Sequence, residues 1–129
     1  MSPDIRRTRG SLGERIAADH LTEAGYEILD RNWRVREGEL DLVVADADAI
    51  VFCEVKTRVA GGRSGPELAL DAVGPAKRRR LRQLATAWLR DRRAAGGIPN
   101  REHLRFDAIG ITITPGGRLL SLDHVTDAF

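Results

Sequence analysis

A chain of 129 residues fits one domain with a real core and is too short for two comfortable ones. With 42% apolar and 31% charged residues it has the make-up of a folded globular protein, which excludes a disordered chain, and no apolar run approaches the ~20 residues of a membrane span. The net charge of +2 is unevenly spread: residues 77–93 hold eight basic residues against one acid, and the rest of the chain holds thirteen against eighteen. That basic segment fits a polyanionic partner, which the overall balance alone would argue poorly.

The first nine residues, with Arg6, Arg7 and Arg9, read as a flexible basic arm without the apolar stretch of a secretory signal. Cys53 is the only cysteine, so no internal disulfide can form, and a cytoplasmic protein is expected. Ser11 then opens a helix. Ser11-Leu12-Gly13-Glu14 has the form of a capping box, Ile16, Ala17, Leu21 and Ala24 give the apolar stripe, and Gly25 ends it. On this local pattern Glu14 is a capping residue that also lies on or beside the buried stripe.

A first strand is expected over residues 26–36, and Glu37-Gly38 turns into a β-hairpin of two apolar, β-branched runs, 40–45 and 49–55. Closed near Ala47-Asp48, this hairpin pairs residues whose numbers sum to 95, so Asp41 faces Glu54. Alternation puts Lys56, Phe52 and Ile50 on the face of Glu54, and Val51, Cys53 and Val55 on the other. Two carboxylates and an amine thus converge on one patch of sheet. Nineteen of the 21 basic residues are arginine, and Lys56 and Lys77 are the only lysines; unlike arginine, lysine can be tuned to give or take a proton.

Residues 59–66 read as a flexible loop rich in glycine, and Pro66-Glu67 opens a short helical turn to Val73. The clearest helix covers residues 76–95. Leu81, Leu84, Ala85, Trp88 and Leu89 form its apolar stripe, with Lys77 on the stripe side and Arg79, Arg82, Arg90 and Arg93 pointing away. Strands over 104–114 and 119–125 complete an order α-β-β-β-α-β-β, a mixed sheet flanked by helices.

The hairpin residues suit phosphodiester hydrolysis. Mg²⁺ takes oxygen ligands, keeps several waters and acts as Lewis acid and water activator, so two carboxylates plus substrate phosphate suffice to hold it. Lys56 would orient the water or stabilise charge on the phosphorus. The same residues also fit a solvated cross-strand charge cluster, or a Ca²⁺ or Mn²⁺ site. Glu39 shares the face of Asp41 as an auxiliary ligand or a solvated charge. Lys77 reaches a phosphate or a neighbouring acid. Trp33 reads as core packing, Asp107 as the partner of an arginine, and His20, His103 and His124 lack metal spacing.

Asp41 followed after twelve residues by Glu54-Val55-Lys56 resembles the PD-(D/E)xK signature of nucleases with a restriction-endonuclease-like fold. The whole chain resembles the YraN family of bacterial nuclease-like proteins. The matching pieces are Gly10-x-x-Gly13-Glu14-x-x-Ala17-x-x-x-Leu21-x-x-x-Gly25-Tyr26, Arg31-Asn32-Trp33-Arg34, Gly38-Glu39-Leu40-Asp41-Leu42, Phe52 to Arg58, Lys77, Arg105-Phe106-Asp107 and Ala128-Phe129. Cys53 and Gly74 depart from the usual Val and Thr.

The resemblance implies an αβββαβ core with an extra strand, here the C-terminal one. It implies a metal site of Asp41, Glu54, the Val55 carbonyl and Glu14, since archaeal Holliday-junction resolvases place a first-helix Glu there. The expected activity is Mg²⁺- or Mn²⁺-dependent endonuclease cleavage of DNA, branched DNA first by analogy, with Lys77, Arg79, Arg82, Arg90 and Arg93 on the nucleic acid. Symmetric cleavage would require a homodimer, for which the sequence shows no clear face. A non-catalytic nucleic-acid-binding module and an RNA-processing nuclease are the alternatives.

Overall fold

The computed structural model describes residues 5–61 and 74–129, with backbone alone for 5–10. Its first helix, α1 (Ile5–Glu23), begins six residues before Ser11, so Ser11 lies within the helix and is not its N-cap. Of the arm expected over residues 1–9, residues 5–9 are helical and the first four lie outside the described residues. Gly10 weakens a helix by about 1 kcal/mol and does not stop one, and the Ser-x-x-Glu pattern is equally compatible with the interior of a helix.

The end of α1 is as expected. Gly25 takes φ 97°, the Tyr26 N–H reaches the Leu21 carbonyl (2.9 Å) and the Gly25 N–H reaches that of Thr22 (3.1 Å), a Schellman close.

Five strands follow the helix: β1 (Glu27–Val35), β2 (Gly38–Ala45), β3 (Ala49–Val59), β4 (His103–Ile113) and β5 (Leu119–Val125), with helix α2 (Pro75–Ala94) between β3 and β4. They form one sheet in chain order. β3 and β4 are parallel, and the other neighbours are antiparallel. A parallel pair needs a long crossover, and α2 supplies it. The β2–β3 register is the expected one, running from Leu42↔Cys53 to Ala45↔Ile50. The expected loop over 59–66 begins as the end of β3 at Val59 and a turn at 60–61; the remainder, with the helical turn to Val73, lies outside the described residues.

Period-2 alternation feeds two cores. Leu42, Val44, Val51, Cys53, Ile109, Ile111 and Ile113 face α1, where Ala17, Ala18 and Leu21 meet them. Val43, Ile50 and Phe52 face α2 and pack on Leu81, Leu84, Ala85 and Trp88, with Trp33 partly buried beside them. Covered on both faces, the central strands read as near-continuous apolar runs.

Trp88 is fully buried, edge-on to Phe52 (5.7 Å between centroids), and its indole N–H donates to Asp30 Oδ2 (2.9 Å). The ring pair adds about 0.5–1.5 kcal/mol beyond the area it buries, and the Asp30 bond removes the penalty of a buried donor.

α1 approaches the sheet closely enough to need a glycine. A Cβ on Gly13 would stand 1.8 Å from Thr57 Oγ1 and 3.0 Å from its Cβ. Gly13→Ala is expected to destabilise the protein by about 1–3 kcal/mol, because overpacking exceeds the gain in helix propensity. Urea denaturation checks this, and Thr57→Ala in the same chain should restore most of the loss.

Candidate active site

The sheet opens at one rim. The β2–β3 ladder stops at Leu42↔Cys53, so the next facing pair would be Asp41 and Glu54. On the other side, Arg31↔Leu42 and Trp33↔Leu40 bracket Asn32 and Asp41. Asn32, Asp41 and Glu54 therefore lie in a row across three strands.

Neither end of that row keeps a regular ladder. Asn32 has φ 50°, a left-handed conformation that asparagine tolerates better than most residues. Asp41 Oδ2 accepts the N–H of Val55 (2.8 Å), so a side chain stands in for the main-chain partner. The strands splay, and the gap fills with acids.

Glu14 enters from α1, and its carboxylate, hydrogen-bonded by the Asn32 side chain, comes within ligand-sharing distance of Glu39 and Asp41. One oxygen from each of the three lies within 4.8 Å of the other two. Glu39 also pairs with Arg34 (2.6 Å). Glu54 is next to them, but its Oε1 is held by Lys77 Nζ at 2.8 Å and by Lys56 Nζ at 3.6 Å.

The electrostatics follow from this crowding. Asp41 is 8% exposed, and burial, then the Glu54 charge, pushes its carboxyl up to about 8 despite the Val55 N–H. Burial likewise raises Glu14, with Asn32 working against it. Burial works against the charge of Lys77, but its hydrogen bond and ion pair with Glu54 outweigh this and hold it above its ordinary value. Three clustered carboxylate oxygens fit a hard divalent cation such as Mg²⁺ or Mn²⁺.

The expected residues are thus redistributed. Glu14 and Asp41 come together as the resemblance implied, and Glu39 joins them more closely than Glu54. Val55 contributes its N–H to Asp41. Lys77, expected on the nucleic acid, stands in the site and is nearer Glu54 than Lys56 is. Arg79, Arg82, Arg90 and Arg93 are exposed along α2, Arg82 also donating weakly to the Phe129 carbonyl (3.4 Å). Asn32 is the site residue that strand reading alone missed, though it falls inside the Arg31-Asn32-Trp33-Arg34 piece.

A second polar cluster lies on the α1 face. Asp107 is fully buried and accepts two bonds from Arg105 (2.9 and 3.0 Å), one from the Asp127 N–H (2.9 Å), and pairs with His124 Nε2 (2.8 Å). His124 Nδ1 in turn meets His20 Nε2 at 3.1 Å. The arginine partner expected for Asp107 is present. Cys53 is buried and its thiol is pushed far up, first by burial and then by Asp107, so it is no nucleophile.

A mixed five-stranded sheet between two helices, with acids and lysines gathered where the second and third strands part, defines an α/β protein compatible with a restriction-endonuclease-like core. The chain belongs to the YraN-like family described as uncharacterised protein family UPF0102, whose model matches residues 13–111. It is similar to a UPF0102 protein of Rhodococcus jostii, 48% identical over 120 residues that cover 93% of this chain and 94% of that one. A UPF0102 protein of Frankia casuarinae is 46% identical with the same coverage. One from Anaeromyxobacter dehalogenans is 42% identical over 88% of this chain and 78% of its own. The family match spans Glu14, Glu39, Asp41, Glu54, Lys56 and Lys77 and stops before β5. Among the described residues no helix is long and apolar enough to cross a membrane.

Proposed function

We propose that the protein is a divalent-metal-dependent endonuclease that hydrolyses phosphodiester bonds of DNA. The observation that carries this reading is the convergence of Glu14, Glu39 and Asp41 beside a Glu54–Lys77–Lys56 cluster at the open rim of the sheet. Glu14, Glu39 and Asp41 would hold Mg²⁺ or Mn²⁺, with Glu54 and the Val55 carbonyl as further oxygen donors. When bound, the cation supplies Lewis-acid charge for the phosphate oxygens and activates water.

The chain's own residues do the rest. The Val55 N–H fixes the Asp41 carboxylate, and Asn32 fixes that of Glu14. Lys77 keeps its proton and presents positive charge where phosphate charge would build. Lys56, whose side chain is 45% exposed, meets the site from solvent and suits the role of orienting the attacking water. The exposed arginines of α2 would grip the sugar-phosphate backbone, which positions a strand without reading its bases.

The test is incubation with single-stranded, duplex, flapped and four-way DNA and with RNA, in Mg²⁺ or Mn²⁺, beside Asp41→Ala and Lys56→Ala. Metal-dependent cutting of DNA is expected, abolished by Asp41→Ala and reduced about 10²–10³-fold by Lys56→Ala. Cutting that survives both substitutions sinks the site assignment. Tight binding with no cutting on any substrate makes the protein a nucleic-acid-binding module, and cutting confined to RNA makes it an RNA-processing nuclease.

A further inference from the structure

On the α1 face, immediately beside Glu14, a cleft of about 150 Å³ is lined by Ser11, Glu14, Arg15, Arg31, Asn32 and Leu42. Leu42, 1% exposed, belongs to the core, and Arg15 and Arg31 are exposed at the surface. Neither arginine has an ion-pair partner among the described residues; Arg31 is tied through its backbone N–H to Asp30, which leaves its guanidinium out of that bond. The cleft is well below the ~300–1,000 Å³ of a small-molecule pocket. It suits one compact group rather than a whole nucleotide.

We propose that this cleft is a phosphate subsite for the strand being cut, in which Arg15 and Arg31 hold the phosphate next to the one lying over Asp41. The inference rests on the nuclease reading and extends it.

Its chemistry is that of the guanidinium. A planar fork of N–H donors matches the phosphate oxygens in pairs, as the ammonium of a lysine does not. Its position is set by Glu14, which belongs both to the acid cluster and to the wall of the cleft, so a strand over the acids runs into the cleft without a gap. Glu14 is also the one lining group that repels a phosphate. Its carboxylate is held by Asn32 and, in the nuclease reading, faces the divalent cation. With α2 on the opposite face of the sheet, the strand would be gripped from both sides of the rim.

The test is equilibrium binding of a fluorescein-labelled single-stranded 20-mer in Ca²⁺, by anisotropy across salt concentrations. It compares the parent protein, Arg15→Gln/Arg31→Gln and Arg15→Lys/Arg31→Lys, each checked for an unchanged melting temperature. The Gln pair is expected to bind about tenfold more weakly at 100 mM salt and to flatten the log K against log salt slope by about 0.7, the loss of one phosphate contact. The Lys pair is expected to keep the slope, because it keeps the charge.

A Gln pair that binds like the parent with the same slope overturns the subsite and leaves the nuclease reading standing. A parent that binds no nucleic acid even at low salt overturns both.

Discussion

Asp41→Asn is expected to abolish metal-dependent cutting while making the metal-free protein more stable at pH 8 and above. The two effects share one cause. Burial and the neighbouring Glu54, Glu14 and Glu39 raise the Asp41 carboxyl from 3.8 to about 8. Between those values the folded chain holds a proton that the unfolded chain has released. Stability therefore falls as pH rises through this window, and above it the fold carries the full cost of the ionised acid, on the order of a few kcal/mol.

An asparagine keeps an oxygen for the Val55 N–H and offers its amide hydrogens to the surrounding carboxylates, so the cost disappears. Melting curves from pH 5 to 9 in EDTA check this: the parent should lose stability toward pH 9, and the variant should stay level. Mg²⁺ should restore the parent at high pH, since a ligand bound only by the folded state adds RT ln(1 + [L]/Kd), and should leave the variant unchanged. If the two proteins show the same pH dependence, the acids are solvated and the proposed cation site fails with them.

Where both neighbours of a residue obey a short-range rule, the sequence is enough to place it. The β2–β3 register is an example. Each run alternates between two cores, so a slip of one residue would turn Val51 and Cys53 to the wrong face, and the turn at Ala47-Asp48 sets the rest. Helical period alone places Lys77 on the sheet side of α2, where it meets Glu54.

The misses have a different origin. The β1–β2 register shifts between Ile28 and Asp30, and that irregularity puts Asn32 across from Asp41. An extra residue in one strand leaves no trace in the alternation of its partner. Glu39 looks like a solvated charge at a strand start until the strands part and turn it toward Glu14. Ser11 satisfies a capping pattern that the helix runs through, and the real constraint on that turn is Thr57 against Gly13. His20 and His124 are 104 residues apart and meet only because α1 ends over the edge of β5.

That pair of histidines belongs to the second large effect. Asp107→Ala is expected to cost about 3–5 kcal/mol, roughly 10–20 °C of melting temperature, because it removes both Asp107 bonds of the Arg105 guanidinium, leaving it Tyr26 and the more distant Asp46, and strips the Asp127 N–H and His124 of their acceptor. Asp107→Asn should fall between, since it keeps the shape and one oxygen.

The pH dependence separates this cluster from the acid site. Burial works against the ionised Asp107, but His124, Arg105 and the Asp127 N–H hold it below the ordinary carboxylate value. Its contribution is fully present above pH ~4 and is lost as pH falls through its lowered folded value. Burial, then His124, lowers His20, so protonation of that ring from pH ~6.5 downward favours the unfolded chain as well. Two protonated rings cannot face each other across 3.1 Å, since both facing nitrogens would be donors.

The acid limb of the stability curve is therefore set by Asp107 and His20, and the decline toward pH 8 by Asp41. Asp107→Ala should flatten the first and leave the second, and Asp41→Asn the reverse. Urea unfolding at pH 3, 6 and 8.5 distinguishes them. An Asp107→Ala protein as stable as the parent at pH 6 would mean that the Arg105–Asp107–His124 network contributes nothing to the fold.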